Sequence, residues 1–272
     1  MTEKANTVFE GLMRAGYGAR GSVYLLVGAI AMFAAVNGGE AKGSTGALNF
    51  LVRQTFGQVM LAIVALGLFA YTAWRFTDAL LDLENEGDDA EGTISRAGQF
   101  ISGVTHAFLG VSAVTILIKG AQVSSGNGNT AENWSAMVMS QPFGQWLVGI
   151  AGATTVAVGI YLFIKAKRTK YKADIRNTPT TEKLAPFVRF GLFAHGVVLL
   201  LIGGLIIFAA VSANPERAAG LGEALQILEQ QTYGRIILGV IGAGLASFAV
   251  YCGVRAVFGI APRVNRGSTL ET

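Results

Sequence analysis

Apolar positions along this chain fall into six long runs, near 21–38, 58–80, 100–119, 145–165, 188–212 and 236–259, with polar residues gathered between them. Each run is close to the ~20 residues that a helix needs to cross a hydrocarbon core of ~30 Å. No water satisfies backbone groups inside lipid, so a spanning run folds as a helix. The pattern predicts an all-α integral membrane protein with six transmembrane helices. Composition points the same way: 52% of the residues are hydrophobic and 14% are charged, where a soluble domain carries about 25% charged residues. The first run ends in small residues, "MFAAV", as a signal peptide does. The repeats described next count it as a span instead.

The basic residues set an orientation. Sixteen Lys and Arg lie at the N-terminus, between runs 2 and 3, between runs 4 and 5, and at the C-terminus, against five on the opposite side. Positive charge is retained on the cytoplasmic side, so both termini are expected inside. The net charge of +4 reflects this asymmetry, and no nucleic-acid partner is expected. The basic run "KAKRTKYK" at 165–172 is expected to attract anionic membrane lipids, at ~1 kcal/mol per charge near the surface. A membrane protein partner is the other partner class considered.

One hairpin recurs three times. "RAGYGARGSVYLLVG" begins at Arg14, "RAGQFISGVTHAFLG" at Arg96 and "RFGLFAHGVVLLLIG" at Arg189. In each copy glycines follow the arginine by 7 and by 14: Gly21 and Gly28, Gly103 and Gly110, Gly196 and Gly203. A second motif precedes each even-numbered run: "QTFG" at Gln54, "QPFG" at Gln141 and "QTYG" at Gln231. The repeats are taken as 10–84, 93–172 and 185–262, two spans each. Positions seven apart share a helix face, and glycine there lets another helix approach closely, which drives association in lipid. The arginines Arg14, Arg96 and Arg189 are read as interface anchors that snorkel to headgroups. Ahead of two of the glutamine motifs, "GALNFLVRQTFG" resembles "LGEALQILEQQTYG", and each is read as a short amphipathic helix lying at the far interface. Two spans per unit give parallel repeats about an axis along the membrane normal, hence a pseudo-threefold bundle.

These residues carry a resemblance. The pattern R-x-G-x-x-x-x-G-x-x-x-x-x-x-G, an apolar span, a short amphipathic piece, and Q-[TP]-[FY]-G before a second span resembles the bacterial membrane family known as domain of unknown function 1206. The resemblance covers residues ~10–260. It implies three such units in six spans and a bacterial cytoplasmic (inner) membrane, and it implies no activity. Members of that family often carry Lys or Arg just before the first glycine of the pair. Arg20 keeps this feature, while Ser102 and His195 stand in its place in the other copies.

Ionisable residues inside spans mark functional candidates. Six residues after each anchoring arginine stand Arg20, Ser102 and His195; ten after stand Tyr24, His106 and Leu199. These positions share one helix face, beside the glycine stripe. On the even helices, Asp78, Lys165 and Arg255 occupy equivalent positions and are read as interfacial. Arg20, Tyr24, Ser102, His106 and His195 have two readings. They line a polar vestibule open to the cytoplasm and closed outside by an apolar layer, or they snorkel at headgroup depth. Paired histidines on facing helices can bind haem, but His106 and His195 differ by four residues in register, ~6 Å in depth. They are read as satisfied interior histidines, and no cofactor is expected.

No phosphate loop, metal-ligand cluster or nucleophile–base spacing occurs, and the single cysteine, Cys252, forms no intramolecular disulfide. The chain is read as non-enzymatic: a membrane module contacting lipids or protein partners, or alternatively a transporter or channel for a small solute. The charge argument has a direct check. A cysteine introduced at Ser125, between runs 3 and 4, should react with a membrane-impermeant thiol reagent in intact cells, and one at Thr178 should not. The reverse pattern would overturn the assigned orientation.

Overall fold

The computed structural model describes residues 2–84, 87, 89–120 and 130–260. Ser125, Arg263, Arg266 and parts of the acidic segment 84–92 lie outside the described residues. Among those described, nine α-helices form: α1 (Thr2–Asn37), α2 (Ser44–Val52), α3 (Gly57–Leu81), α4 (Ala90–Lys119), α5 (Thr130–Met139), α6 (Gly144–Lys167), α7 (Pro179–Val211), α8 (Leu221–Glu229) and α9 (Gly234–Phe258). Six of them, α1, α3, α4, α6, α7 and α9, are long and apolar enough to cross a membrane. The three odd spans of the sequence, α1, α4 and α7, have 36, 30 and 33 residues. At 1.5 Å per residue they reach about 45–54 Å, so they project beyond the bilayer on the face that carries both termini. We call this the terminal face and the opposite one the far face.

The six spans close into a ring in the order α1, α3, α4, α6, α7, α9. Every seam between repeats is built on the glycine stripe. A Cβ on Gly28 would stand 2.6 Å from the Gly242 carbonyl of α9, and one on Gly21 would stand 3.1 Å from Cys252 Cβ. Between α6 and α7 the glycines are reciprocal: a Cβ on Gly196 would meet Gly159 O at 2.9 Å, and one on Gly203 would meet Gly152 O at 2.9 Å. Between α3 and α4 the Phe76 and Phe69 rings lie over Gly103 and Gly110. The stripe therefore lets backbones touch at two seams and makes room for aromatic rings at the third, where an added side chain would wedge the helices apart.

The anchoring arginines strengthen two of the same seams. Arg14 of α1 donates to Val257 O of α9 at 3.4 Å and pairs with Glu10 at 2.5 Å. Arg96 of α4 donates to Ala79 O of α3 at 3.0 Å. Unpaired carbonyls at a helix C-terminus attract a guanidinium, so these two arginines bridge helices in addition to marking depth. Arg189 remains exposed.

The glutamine motifs form tight turns between a short helix and the next span. Gly57 N donates to Gln54 O at 2.8 Å, Gly144 N to Gln141 O at 2.9 Å and Gly234 N to Gln231 O at 2.8 Å. Any Cβ at these glycines would collide with the carbonyls of Leu51, Val138 and Glu229 respectively. The preceding aromatics Phe56, Phe143 and Tyr233 are exposed, as an interfacial belt requires. The short helices do not simply lie on the interface. Ala47, Leu48 and Leu51 of α2 and Ala224 and Leu225 of α8 are buried, so both tuck into the mouth of the ring. Repeat 2 adds a third member of this set, α5.

The ring has one weak seam. Within repeats 1 and 3 the two spans pack closely, α1 on α3 and α7 on α9, whereas α4 and α6 of repeat 2 touch sparsely. Gly67 of α3 and Gly244 of α9 are in close contact with Ala19 and Ala194. The matching position of α6, ten residues after its motif glycine, is Thr154. Near the terminal face Gly98 still meets Val158, and the two helices diverge from there. The burial follows suit: 28% and 17% of the most apolar stretches of α4 and α6 are buried, against 39–50% for the other four.

The glycine seams can be tested by size. Gly196→Leu should destabilise the protein by roughly 1–3 kcal/mol through overpacking, while Gly204→Leu, with open space at its Cβ position, should leave thermal stability in detergent unchanged. Equal stability of the two variants would mean that the stripe does not hold the ring together.

Candidate functional site

The ring encloses a cavity of about 750 Å³. All five sequence-selected polar residues, Arg20, Tyr24, Ser102, His106 and His195, lie on its wall. Halfway along it, Arg20 of α1 donates to Tyr71 OH at 2.6 Å and lies 3.4 Å from His195 Nε2. Its guanidinium sits over three rings, 5.5 Å from the Tyr24 centroid, 5.2 Å from Tyr71 and 4.9 Å from Phe248. Such cation–π contacts hold a charge in place without cancelling it. Ser102 Oγ stands 3.5 Å from Tyr71 OH. His106 Nδ1 is 2.7 Å from Ser102 O, and its ring packs on Tyr71 at 4.6 Å. His195 stacks on Phe248 at 4.1 Å. Tyr71 and Phe248 are equivalent residues, each fourteen after its motif glycine, and they touch Gly16 and Gly191 of their own repeats. Sequence reading overlooked both, although R-x-G in every copy contained the signal.

Toward the terminal face the cavity is floored by paired charges. Arg75 donates to Tyr71 OH at 3.0 Å and to Tyr17 OH, pairs with Asp78 at 2.7 Å, and reaches Glu84 at 3.4 Å. Arg255 pairs with Glu84 and with Asp174 at 3.3 Å. Lys165 pairs with Asp174 at 2.7 Å. Gln99 donates to Glu84 at 3.3 Å. The segment after α6, including a 3-10 turn at Lys170–Asp174, is stitched to the end of α9: Arg176 N donates to Phe258 O at 2.8 Å and Ile260 N to Asp174 O at 2.9 Å. This stitch carries Asp174 under the ring.

Three expectations change here. Asp78, Lys165 and Arg255 do not snorkel outward from the bundle; they are 0%, 8% and 1% exposed. Carboxylates supplied by loops, Glu84 and Asp174, compensate the cations inside the bundle, and a buried charge needs such a partner. Second, Lys165 is withdrawn from the basic run 165–172, which leaves Lys167, Arg168 and Lys172 as its exposed cations. Third, the polar opening was expected on the terminal side. There the wall consists of buried Tyr17, Arg75, Lys165 and Tyr251, whereas at the far end it includes exposed Glu40, Lys42 and Gln226. The far side is therefore polar, not an apolar plug.

Glu84 is the hub of the floor. Burial alone would raise its carboxyl, but the Arg255, Arg75 and Lys165 cations overcome this and hold it at about 2, below the ordinary 4.5.

The fold and cavity define a multi-pass, six-helix membrane protein made of three tandem hairpins. The chain belongs to the family described as Domain of Unknown Function (DUF1206), which matches residues 15–82, 97–169 and 190–259, one segment per hairpin. It is 31% identical over 250 residues to an uncharacterized protein, YxxB, of Bacillus subtilis (strain 168), across 90% of this chain and 89% of that protein. No solved structure matches it.

The hub makes stability depend on pH in a set direction. A carboxyl held below its ordinary value stabilises the fold fully above about 4.5 and loses that contribution as pH falls toward about 2. At neutral pH Glu84→Gln should cost on the order of 3 kcal/mol, since it leaves three buried cations facing two carboxylates. The gap in thermal stability between parent and variant should narrow between pH 4.5 and 2. A gap independent of pH would mean that the Glu84 charge is not what holds the floor.

Proposed function

We propose that this protein is a non-enzymatic carrier or binding protein that admits a small ligand from the bilayer into its internal cavity, through the opening between α4 and α6. The terminal face is taken as cytoplasmic, from the excess of Lys and Arg on it, and the membrane as the bacterial inner membrane. The asymmetry of the ring carries the reading. Two hairpins are closed by Gly67 and Gly244, and the third, with Thr154, is splayed beside the cavity. A bundle that served only as a scaffold has no need for a cavity in the size range of drug-like ligand pockets, roughly 300–1,000 Å³. The splayed sector presents Val104 and Leu109 of α4 and Ala151 of α6 to the cavity. A ligand passing them carries an apolar part. Protein partners of the exposed helix faces are compatible with this reading and are not required by it.

The test is co-purification. Protein extracted with a polymer that retains native lipid should release a small amphiphile, near one per chain, detectable by mass spectrometry. Ser112→Trp, which fills the cavity wall, should abolish that component without changing bulk lipid. An identical small-molecule profile in parent and variant would remove the basis for a ligand-admitting cavity.

A further inference from the structure

Deep in the ring, away from the far mouth where Glu40, Lys42 and Glu223 stand, the buried charges do not balance. Arg75, Lys165 and Arg255 have carboxylate partners in Asp78, Glu84 and Asp174. Arg20 has none among the described residues. Its contacts are Tyr71, His195 and three aromatic rings, all neutral or able to be neutral. Among these inner groups four cations face three carboxylates, so Arg20 is the positive charge left without a carboxylate, and it lies on the cavity wall beside Tyr24, Ser102 and His195. Two further atoms there lack partners: Arg20 Nε and His195 Nδ1 are buried with no hydrogen bond. An uncompensated charge at this depth is costly, and orphaned donors add to that cost.

The cavity extends from Arg20 into the apolar sector between α4 and α6, lined by Val104, Leu109 and Ala151. A single oxyanion on an alkyl chain matches both parts. The acid group offsets the surplus charge and accepts from Arg20 and from hydroxyls at Ser102 or Tyr24. The chain lies in the splayed seam. A polyanion would overshoot the one available charge. We propose that the ligand is a singly charged anionic amphiphile with one apolar chain, its acid group bound at Arg20 and its chain in the seam between α4 and α6. This rests on the cavity reading above and names the ligand class for it. The acid could be a carboxylate or the phosphodiester of a one-chain lipid.

Binding of labelled dodecanoate, lauroyl-lysophosphatidylglycerol and dodecanol separates the cases, with the full chain in phosphatidylcholine nanodiscs and empty nanodiscs subtracted. At least one of the two anions should bind the parent roughly tenfold or more tightly than dodecanol does, the increment expected for a hydrogen bond to a charged group. The preference between dodecanoate and the lysolipid identifies the acid. Arg20→Gln should erase the anion preference and leave dodecanol binding within about twofold, and Arg20→Lys should keep part of it. The parent comparison stands even if Arg20→Gln fails to fold. Anions and dodecanol binding alike, with Arg20→Gln indifferent, would overturn the acid assignment and leave the cavity reading intact. Binding of none of the three probes would sink both.

Discussion

Backbone contact at glycine is the constraint on which this architecture depends. Lipid tails are as apolar as leucine, so burial of apolar surface does not draw helices together within a bilayer. Close packing has to do it. Each of the three inter-repeat seams places a heptad pair of glycines against the preceding hairpin, and where both sides are glycine, as at Gly152–Gly203 and Gly159–Gly196, carbonyls lie against α-carbons. Weak C–H···O contacts add to the packing at such distances. The stripe lies at the inter-repeat seams, so it forces the hairpins into a ring. A ring of six helices leaves an axis that side chains must fill or line.

What occupies that axis is charge. Threefold repetition would place three identical groups around it, but the copies have diverged: six residues after the anchor they carry arginine, serine and histidine. Divergence turns a symmetric pore position into a site with one cation, one hydroxyl and one imidazole. The terminal half of the axis is sealed differently. Loop carboxylates Glu84 and Asp174 fold in and meet cations from three even helices. Removing one member of such a set leaves its neighbours buried and unpaired, so the floor behaves as a unit. The halves thus have different roles: a balanced network closes one end, and an unbalanced cation faces the open remainder.

The asymmetry also locates the weak point of the ring. One position, ten residues after the motif glycine, is glycine in α3 and α9 and threonine in α6. A side chain there keeps α4 from approaching as α1 and α7 approach their partners. The same glycine logic that closes the seams between repeats leaves one seam within a repeat open beside the cavity.

Much of this was legible in the chain itself. Period, span count, stripe and turn motifs are local features, set by hydrophobicity and by glycine in tight places, and a sequence displays them directly. The alignment of copies also put Arg20, Ser102 and His195 at one register, and they fall on one wall because register about an axis is geometry. Pairing was different. Asp78, Lys165 and Arg255 looked interfacial because their partners, Glu84 and Asp174, come from loops: the stitch to the end of α9 places Asp174, and the bond from its amide to Asp78 holds Glu84. Arg14 and Arg96 looked like headgroup anchors because the carbonyls they bridge belong to another repeat. Chain chemistry alone therefore determined the membrane class, the threefold hairpin repeat and the polar face. Tertiary structure alone decided which charges cancel, which one is left over and where the ring opens, since those depend on contacts between residues far apart in the sequence.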